Sequence, residues 1–399
     1  MEINKNYLLL LGGLGLSHLG NWIYLIALNL AVWHLTHSPA AVAGIYMIGP
    51  AARIISSLFA GSFIDRHNKK TMMIWSDVIR GGIVCIMPLL TSIWLIYCLI
   101  FLANIAASFF GPSSTYAITK LVAEDERQRF NAIYSTLNSG SFMIGPALAG
   151  IIITMSNTSI AMWVNGVTFF ACAIAISFLP ALESDGSTSA QRVTLQLIQA
   201  DFKEVWRFIT QQPKLFIFFA LYTSTLMIAF SLDSQEMSFL KDILLVEDST
   251  YGLMVSTAGV GAIIGGLCAA AFVKKISLRT YIGAGFALTM GSYLLFYTAS
   301  TISLATFSFV ALGFFMAFSN TGYATMYQKV IPPELMGRFG SSLNLVQSLL
   351  QISFTFILGL MAEWFSLQLV TIVFAVVAFL SAIYLWVFIV RHVKQLSLL

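Results

Sequence analysis

The chain has 399 residues, 58% of them hydrophobic and only 10% charged, far below the roughly 25% that a water-facing globular surface carries. That excludes an ordinary soluble protein and makes a lipid bilayer the solvent. Twelve helical spans of about 20 residues would occupy about 300 positions and leave room for one longer connection.

Apolar runs predict spans over residues 7–33, 41–63, 72–92, 94–119, 131–155, 160–181, 214–236, 250–273, 280–299, 302–325, 341–362 and 367–390. Runs this long and this uniformly apolar fit helices that satisfy their own backbone, not barrel strands. The first run is too long for the apolar region of a secretory signal and is expected to stay as the first span. Cys85, Cys98, Cys172 and Cys268 all fall inside apolar runs and read as packing residues.

The basic residues orient the bundle. Arg66, Lys69 and Lys70, then Lys120, Arg127 and Arg129, then Lys274, Lys275 and Arg279, and Lys329 and Arg338 fall on one side, and Lys241 alone on the other. This asymmetry puts both termini in the cytoplasm of an inner-membrane, multi-pass protein. The net charge of +4 follows that topology and calls for no nucleic-acid partner.

Residues 182–213 divide the spans six and six, giving bundles over 1–181 and 214–399. Glu183 to Ser189 is a flexible composition. Leu195, Ile198, Phe202, Val205, Trp206 and Ile209 then recur at helical spacing, which fits an amphipathic helix on the inner membrane face or a plain connector.

Ionisable groups inside spans are few, and each is a candidate site residue because an unpaired charge in hydrocarbon is costly. In span 1, His18 lies about 16 Å along the helix. It shares a face with Leu25 and Asn29, and Asn21 stands beside it. This stripe suits a cavity wall, and a packing histidine is the other reading. In span 2, Arg53 lies roughly 18 Å by helical rise from Asp65, too deep for snorkelling alone. In span 3, Asp77 and Arg80 are spaced to pair near the inner surface. In span 7, Asp233 and Glu236 are three apart towards the outer end, and neighbouring carboxylates disfavour joint ionisation. They are the leading proton-coupling candidates, with Arg53 and His18 behind them; a boundary position beside Lys241 and Asp242 is the alternative. Glu363 reads as a boundary residue. Asn21, Trp22, Asn29, Asn104, Tyr116, Asn138, Asn320 and Gln347 are candidates to line a substrate cavity.

Lys120, Arg129, Phe130 and Gly150 recur at one constant offset as Lys329, Arg338, Phe339 and Gly359, the mark of two related halves. The loop after span 2 reads Gly61-Ser-Phe-Ile-Asp65-Arg66-His-Asn-Lys69-Lys70. It resembles the signature of the major facilitator superfamily, with Asn68 where that signature has its second glycine. Span 5 reads Gly140-Ser-Phe-Met-Ile-Gly145-Pro146-Ala-Leu-Ala-Gly150, similar to the antiporter signature of drug exporters in the superfamily. Asn21-Trp22, His37-Ser38-Pro39, Asp77-Val-Ile-Arg80, Phe109-Phe-Gly111-Pro112 and Leu121 to Ala132 resemble its drug:proton antiporter branch, which includes macrolide-efflux pumps.

The resemblance implies an all-α membrane protein with twelve transmembrane helices in two pseudo-symmetric six-helix halves, the major facilitator fold. It implies an inner gate built by Gly61, Asp65, Arg66 and Lys70, supported by Asp77 and Arg80. It implies that Gly140, Gly145, Pro146 and Gly150 shape a helix closing against span 8, whose Gly252, Gly259, Gly261, Gly265 and Gly266 answer them. The arginine that many proton antiporters carry in span 4 is absent; Asn104 stands in that region, and Arg53 is a candidate replacement. The expected function is export of small hydrophobic or amphipathic compounds in exchange for protons by a monomer. A lipid, siderophore or metabolite carrier of the same fold and a membrane sensor are the alternatives. The chain has no phosphate loop of the Gly-x-x-x-x-Gly-Lys-Ser/Thr kind and no Cys/His cluster at metal-ligand spacing, so no ATP motor, metal, cofactor or enzymatic activity is expected.

Overall fold

The structure, a computed structural model, describes residues 5–57, 67–182 and 195–392. Fourteen α-helices appear among them: α1 (Lys5–Thr36), α2 (Pro39–Ser57), α3 (Lys69–Ile86), α4 (Ile93–Leu121), α5 (Arg127–Met155), α6 (Thr158–Ser177), α7 (Leu195–Thr210), α8 (Pro213–Asp233), α9 (Glu236–Asp242), α10 (Asp248–Phe272), α11 (Leu278–Tyr297), α12 (Ile302–Val330), α13 (Pro333–Trp364) and α14 (Leu367–Arg391). Side-chain caps fix several starts. Asn68 accepts from the Thr71 amide at 3.2 Å, Asn157 from Ile160 at 3.0 Å and Thr301 from Leu304 at 3.3 Å. Between α1 and α2 the chain turns in two residues, with His37 at φ 48° and Pro39 opening the next helix.

Among the described residues, eleven segments are long and apolar enough to cross a bilayer. The twelfth span is α11, whose Tyr281, Thr289, Ser292, Tyr293 and Tyr297 lower its hydropathy. Each of these polar groups is satisfied within the protein. Tyr281 donates to the Ala269 carbonyl at 2.6 Å, Thr289 to Gly285 at 2.7 Å and Ser292 to Leu288 at 2.9 Å, so α11 is polar by composition and enclosed by packing.

Several helices outrun the predicted spans. α13 begins at Pro333 where the apolar run begins at 341, because residues such as Arg338 continue the same helix into the polar region. Span 7 departs in the other direction. It breaks at Ser234-Gln235, so Asp233 ends α8 and Glu236 opens α9.

The chain forms two compact units. Unit 1 comprises Met1–His37, Ile48–Thr194 and Asp248–Leu253, and unit 2 comprises Ser38–Met47, Leu195–Glu247 and Met254–Leu399. In unit 1, α1 packs on α5 and α6, and α3 on α4 and α6; in unit 2, α8 packs on α13 and α14, and α11 on α12 and α14. The same four pairings therefore occur in each unit. The sequence repeat sits at corresponding places: Phe130 is buried edge-on against Tyr7 at 5.0 Å, and Phe339 is buried against Phe219 at 4.9 Å. Within unit 2, α7 buries Val205 and Ile209 and holds α13 through a Glu204–Arg338 ion pair.

Candidate functional site

In unit 1 the polar residues of α1 and α3 meet inside the helix packing. Asp77 is fully buried, and Arg80 reaches it at 3.3 Å from one turn away. The same guanidinium donates to Asn21 Oδ1 at 3.1 Å and lies 4.0 Å over the Phe169 ring. A buried ion pair needs further contacts to offset its desolvation, and Asn21 of α1 and the Phe169 ring of α6 supply them to the guanidinium. The pair stands about 12–16 Å along α3 from its start. One turn before Asn21, His18 Nε2 meets the Tyr134 hydroxyl at 2.6 Å, joining α1 to α5. Asn29, also buried, donates to the Tyr251 hydroxyl at 3.4 Å.

Helix α5 carries a close crossing. A Cβ at Gly150 would stand 2.6 Å from the Ser249 carbonyl oxygen and 3.6 Å from Gly252 Cα, and one at Gly252 would strike the Pro146 carbonyl. Only glycines let these two backbones approach so closely. A turn earlier, Gly145 faces Trp22, whose ring lies 4.7 Å from Phe142. Gly140 faces open space. Unit 2 has the corresponding crossing, where a Cβ at Gly359 of α13 would stand 2.9 Å from Ala43 Cβ of α2.

The acids of span 7 lie at the α8–α9 break in unit 2. The Tyr293 hydroxyl of α11 donates to Asp233 Oδ1, and Tyr297 donates to the Leu232 carbonyl beside it. Between the acids, Gln235 is fully buried and donates through Nε2 to the Pro39 carbonyl and Ser234 Oγ, each at 3.2 Å. Deeper in unit 2, Tyr222 stacks at 4.4 Å on both Phe286 and Tyr323.

The remaining candidates are dispersed. Asn104 donates to the Ile100 carbonyl at 2.8 Å, and its Oδ1 lies 3.5 Å from where a Gly49 Cβ would stand. Tyr116 sits between the ammonium groups of Lys69 and Lys120, at 5.6 and 5.8 Å from its ring centre. Asn138 on α5 and Asn320 on α12 are exposed, Gln347 is partly buried, and Arg53 is exposed within α2. Lys70 donates to the Leu179 carbonyl. Gly61, Asp65 and Arg66 lie outside the described residues.

The sequence reading did not pick out several partners: Tyr134 for His18, Phe169 for Arg80, Tyr293 for Asp233. It also passed over the pair of His34 with Asp248 at 3.2 Å in unit 1. Glu363, read as a boundary residue, accepts from Ser38 at 2.9 Å in unit 2. Polar aromatics inside otherwise apolar spans were the available signal for the tyrosines.

Comparison with known proteins agrees with this architecture. The family model for the Major Facilitator Superfamily matches residues 10–355 and 236–398. An uncharacterised MFS-type transporter of Bacillus subtilis (strain 168), YfiS, is 24% identical over 92% of this chain and 89% of its own length. Macrolide efflux protein A of Streptococcus pyogenes is 23% identical over 72% of each chain. Among solved structures, the nucleoside transporter NupG superposes with a TM-score of 0.76 at 14% identity, covering 97% of this chain and 99% of its own. The chain is a multi-pass membrane protein with the twelve-span fold, and it belongs to the Major Facilitator Superfamily.

Proposed function

We propose that this transporter exports small amphipathic or hydrophobic compounds across the cell membrane, in exchange for protons, with both termini in the cytoplasm. One observation carries the reading: two carboxylates, Asp233 and Glu236, bracket a break in a membrane-spanning helix. Transporters build ion sites where a span is interrupted and its backbone is held by neighbouring groups, and here Tyr297 donates to the Leu232 carbonyl at the end of α8 while Tyr293 donates to the Asp233 carboxylate. A carboxylate that accepts a proton at such a place loses its charge, which biases the balance between two conformations of the protein.

Two further observations support export. The crossing at Gly150 and Gly252 lies on α5, whose sequence resembles an antiporter pattern, and macrolide efflux protein A is among the similar proteins. In the proposed cycle, Gly61, Asp65, Arg66 and Lys70 form the inner gate. Asn138 of unit 1 and Asn320 of unit 2, each exposed, are each proposed as a substrate-contacting residue.

The test uses purified protein in vesicles loaded with an amphipathic dye under an imposed pH gradient. Extrusion against the dye gradient, abolished when the pH gradient is collapsed, is expected. Extrusion at the same rate without the gradient rules out proton exchange, and absence of dye movement under every gradient rules out export of amphipaths.

A further inference from the structure

Arg53 stands out among the charged residues of unit 1. Around it on α2, Pro50, Ala52 and Ser56 are buried and Gly49 faces Asn104 of α4, an inward face that opens at Ser57, which is exposed one turn on. Arg53 projects from the middle of that inward face, yet it is itself exposed. The lipid-ward side of the helix is different, since it carries Ile54 and the exposed Ile55. An exposed guanidinium on an inward-pointing helix face opens onto water-filled space, because lipid contact there would be prohibitively costly.

Its charge has no counterpart among the described residues of unit 1. Among the described residues of spans α1 to α6 the one carboxylate is Asp77, and Arg80 takes it. No described carboxylate pairs with Arg53. A guanidinium cannot give up its proton in a protein, so Arg53 is unsuited to carry a proton through a transport cycle. What it offers is a planar fork of donors matched to a carboxylate, sulfonate or phosphate.

We infer that Arg53 is a binding residue for the anionic head of an amphipathic substrate, with the α2–α4 surface around Gly49 and Asn104 beside it. The inference rests on the export of amphipaths proposed above and narrows its substrate class to anions and zwitterions. The missing acid is the second half of the reasoning: a surface built for organic cations would present a carboxylate, and the described spans of unit 1 present this cation instead.

Three pyrene probes with one tail separate the possibilities: pyrenebutyrate, pyrenebutanol and a pyrenebutyl trimethylammonium salt. Binding is read by fluorescence on the purified full-length protein in nanodiscs. The unmodified protein is expected to hold the butyrate about ten-fold more tightly than the alcohol and to hold the ammonium probe most weakly. Arg53→Gln removes the preference for the butyrate while leaving the alcohol unchanged, and Arg53→Lys keeps part of it. Undiminished butyrate binding in Arg53→Gln overturns the assignment. So does an equal fall for all three probes, which marks a general loss of structure around α2 that the thermal stability of the variant will confirm. Failure of every probe to bind the unmodified protein overturns both this assignment and the amphipath reading, whereas binding of the alcohol alone overturns this one and leaves the other standing.

Discussion

At the place where α3 of unit 1 buries Asp77, α11 of unit 2 buries Phe286. The two helices begin at the same offset that separates Phe130 from Phe339, so the positions correspond. Around Asp77 the interior is ionic, with Arg80, Asn21 and Phe169. Around Phe286 it is aromatic, with Tyr222 stacked between Phe286 and Tyr323. Four helix pairings are common to both units, so the scaffold does not require charge at this place. In unit 2 the acids sit at the α8–α9 break instead. A repeated scaffold has thus been filled in two ways, with a buried ion pair in one unit and an aromatic stack at the matching place in the other.

Changes to the close crossings should have the largest effect. Gly150 abuts backbone, the Ser249 carbonyl and Gly252 Cα, whereas Gly359 abuts the Ala43 methyl. Gly150→Leu is therefore expected to lower vesicle transport about 100-fold or more, the scale on which ångström misplacements act, with the protein still inserted. Gly359→Ala adds one methyl 2.9 Å from Ala43 Cβ, where Gly150→Leu drives a whole side chain into backbone, and should be milder. Equal losses would break the distinction between the two crossings.

The ion pair comes next. Asp77→Leu strands Arg80 and is expected to destabilise unit 1 by about 3–5 kcal/mol. The double change Asp77→Leu with Arg80→Met converts the site towards the apolar filling of unit 2 and should recover most of that loss in thermal denaturation. If the double variant is no more stable than the single one, the pair is not the cause of the cost. Tyr222→Phe keeps both stacked rings and gives up only the 3.4 Å contact with Ser319, so a loss of about 0.5–1 kcal/mol is expected. The smallest effect belongs to Tyr134→Phe, which removes the His18 bond between α1 and α5 for about 0.6 kcal/mol, the mean of interhelical hydrogen bonds in a membrane.

Most of the fold was legible because lipid imposes one rule on every span: apolar side chains over a closed helical backbone. Hydropathy found α4 and α14 closely, since nothing charged interrupts their apolar runs. It could not place a break between α8 and α9, because the polar run Asp233-Ser234-Gln235-Glu236 fits the end of a span as well as an interruption, and the contact that holds Gln235 comes from Pro39 in a distant part of the chain. The site was less legible for the same reason. The Asp77–Arg80 spacing betrays a pair on one helix, but Asn21 and Phe169 complete it from α1 and α6. Asp233 was readable as an intramembrane acid, while Tyr293 lies 60 residues away and adjoins it only through the packing of α11.

The proposal that the carboxylates of unit 2 exchange protons while the charge pair of unit 1 stays fixed is tested most directly by proton release. Purified protein in weakly buffered detergent solution is titrated with an amphipathic substrate while pH is recorded. The account predicts that substrate binding releases protons, that Asp233→Asn combined with Glu236→Gln abolishes the release while binding persists, and that Asp77→Leu combined with Arg80→Met leaves the release intact. Undiminished release from the protein lacking both carboxylates, or release lost on changing the Asp77–Arg80 pair alone, would contradict it.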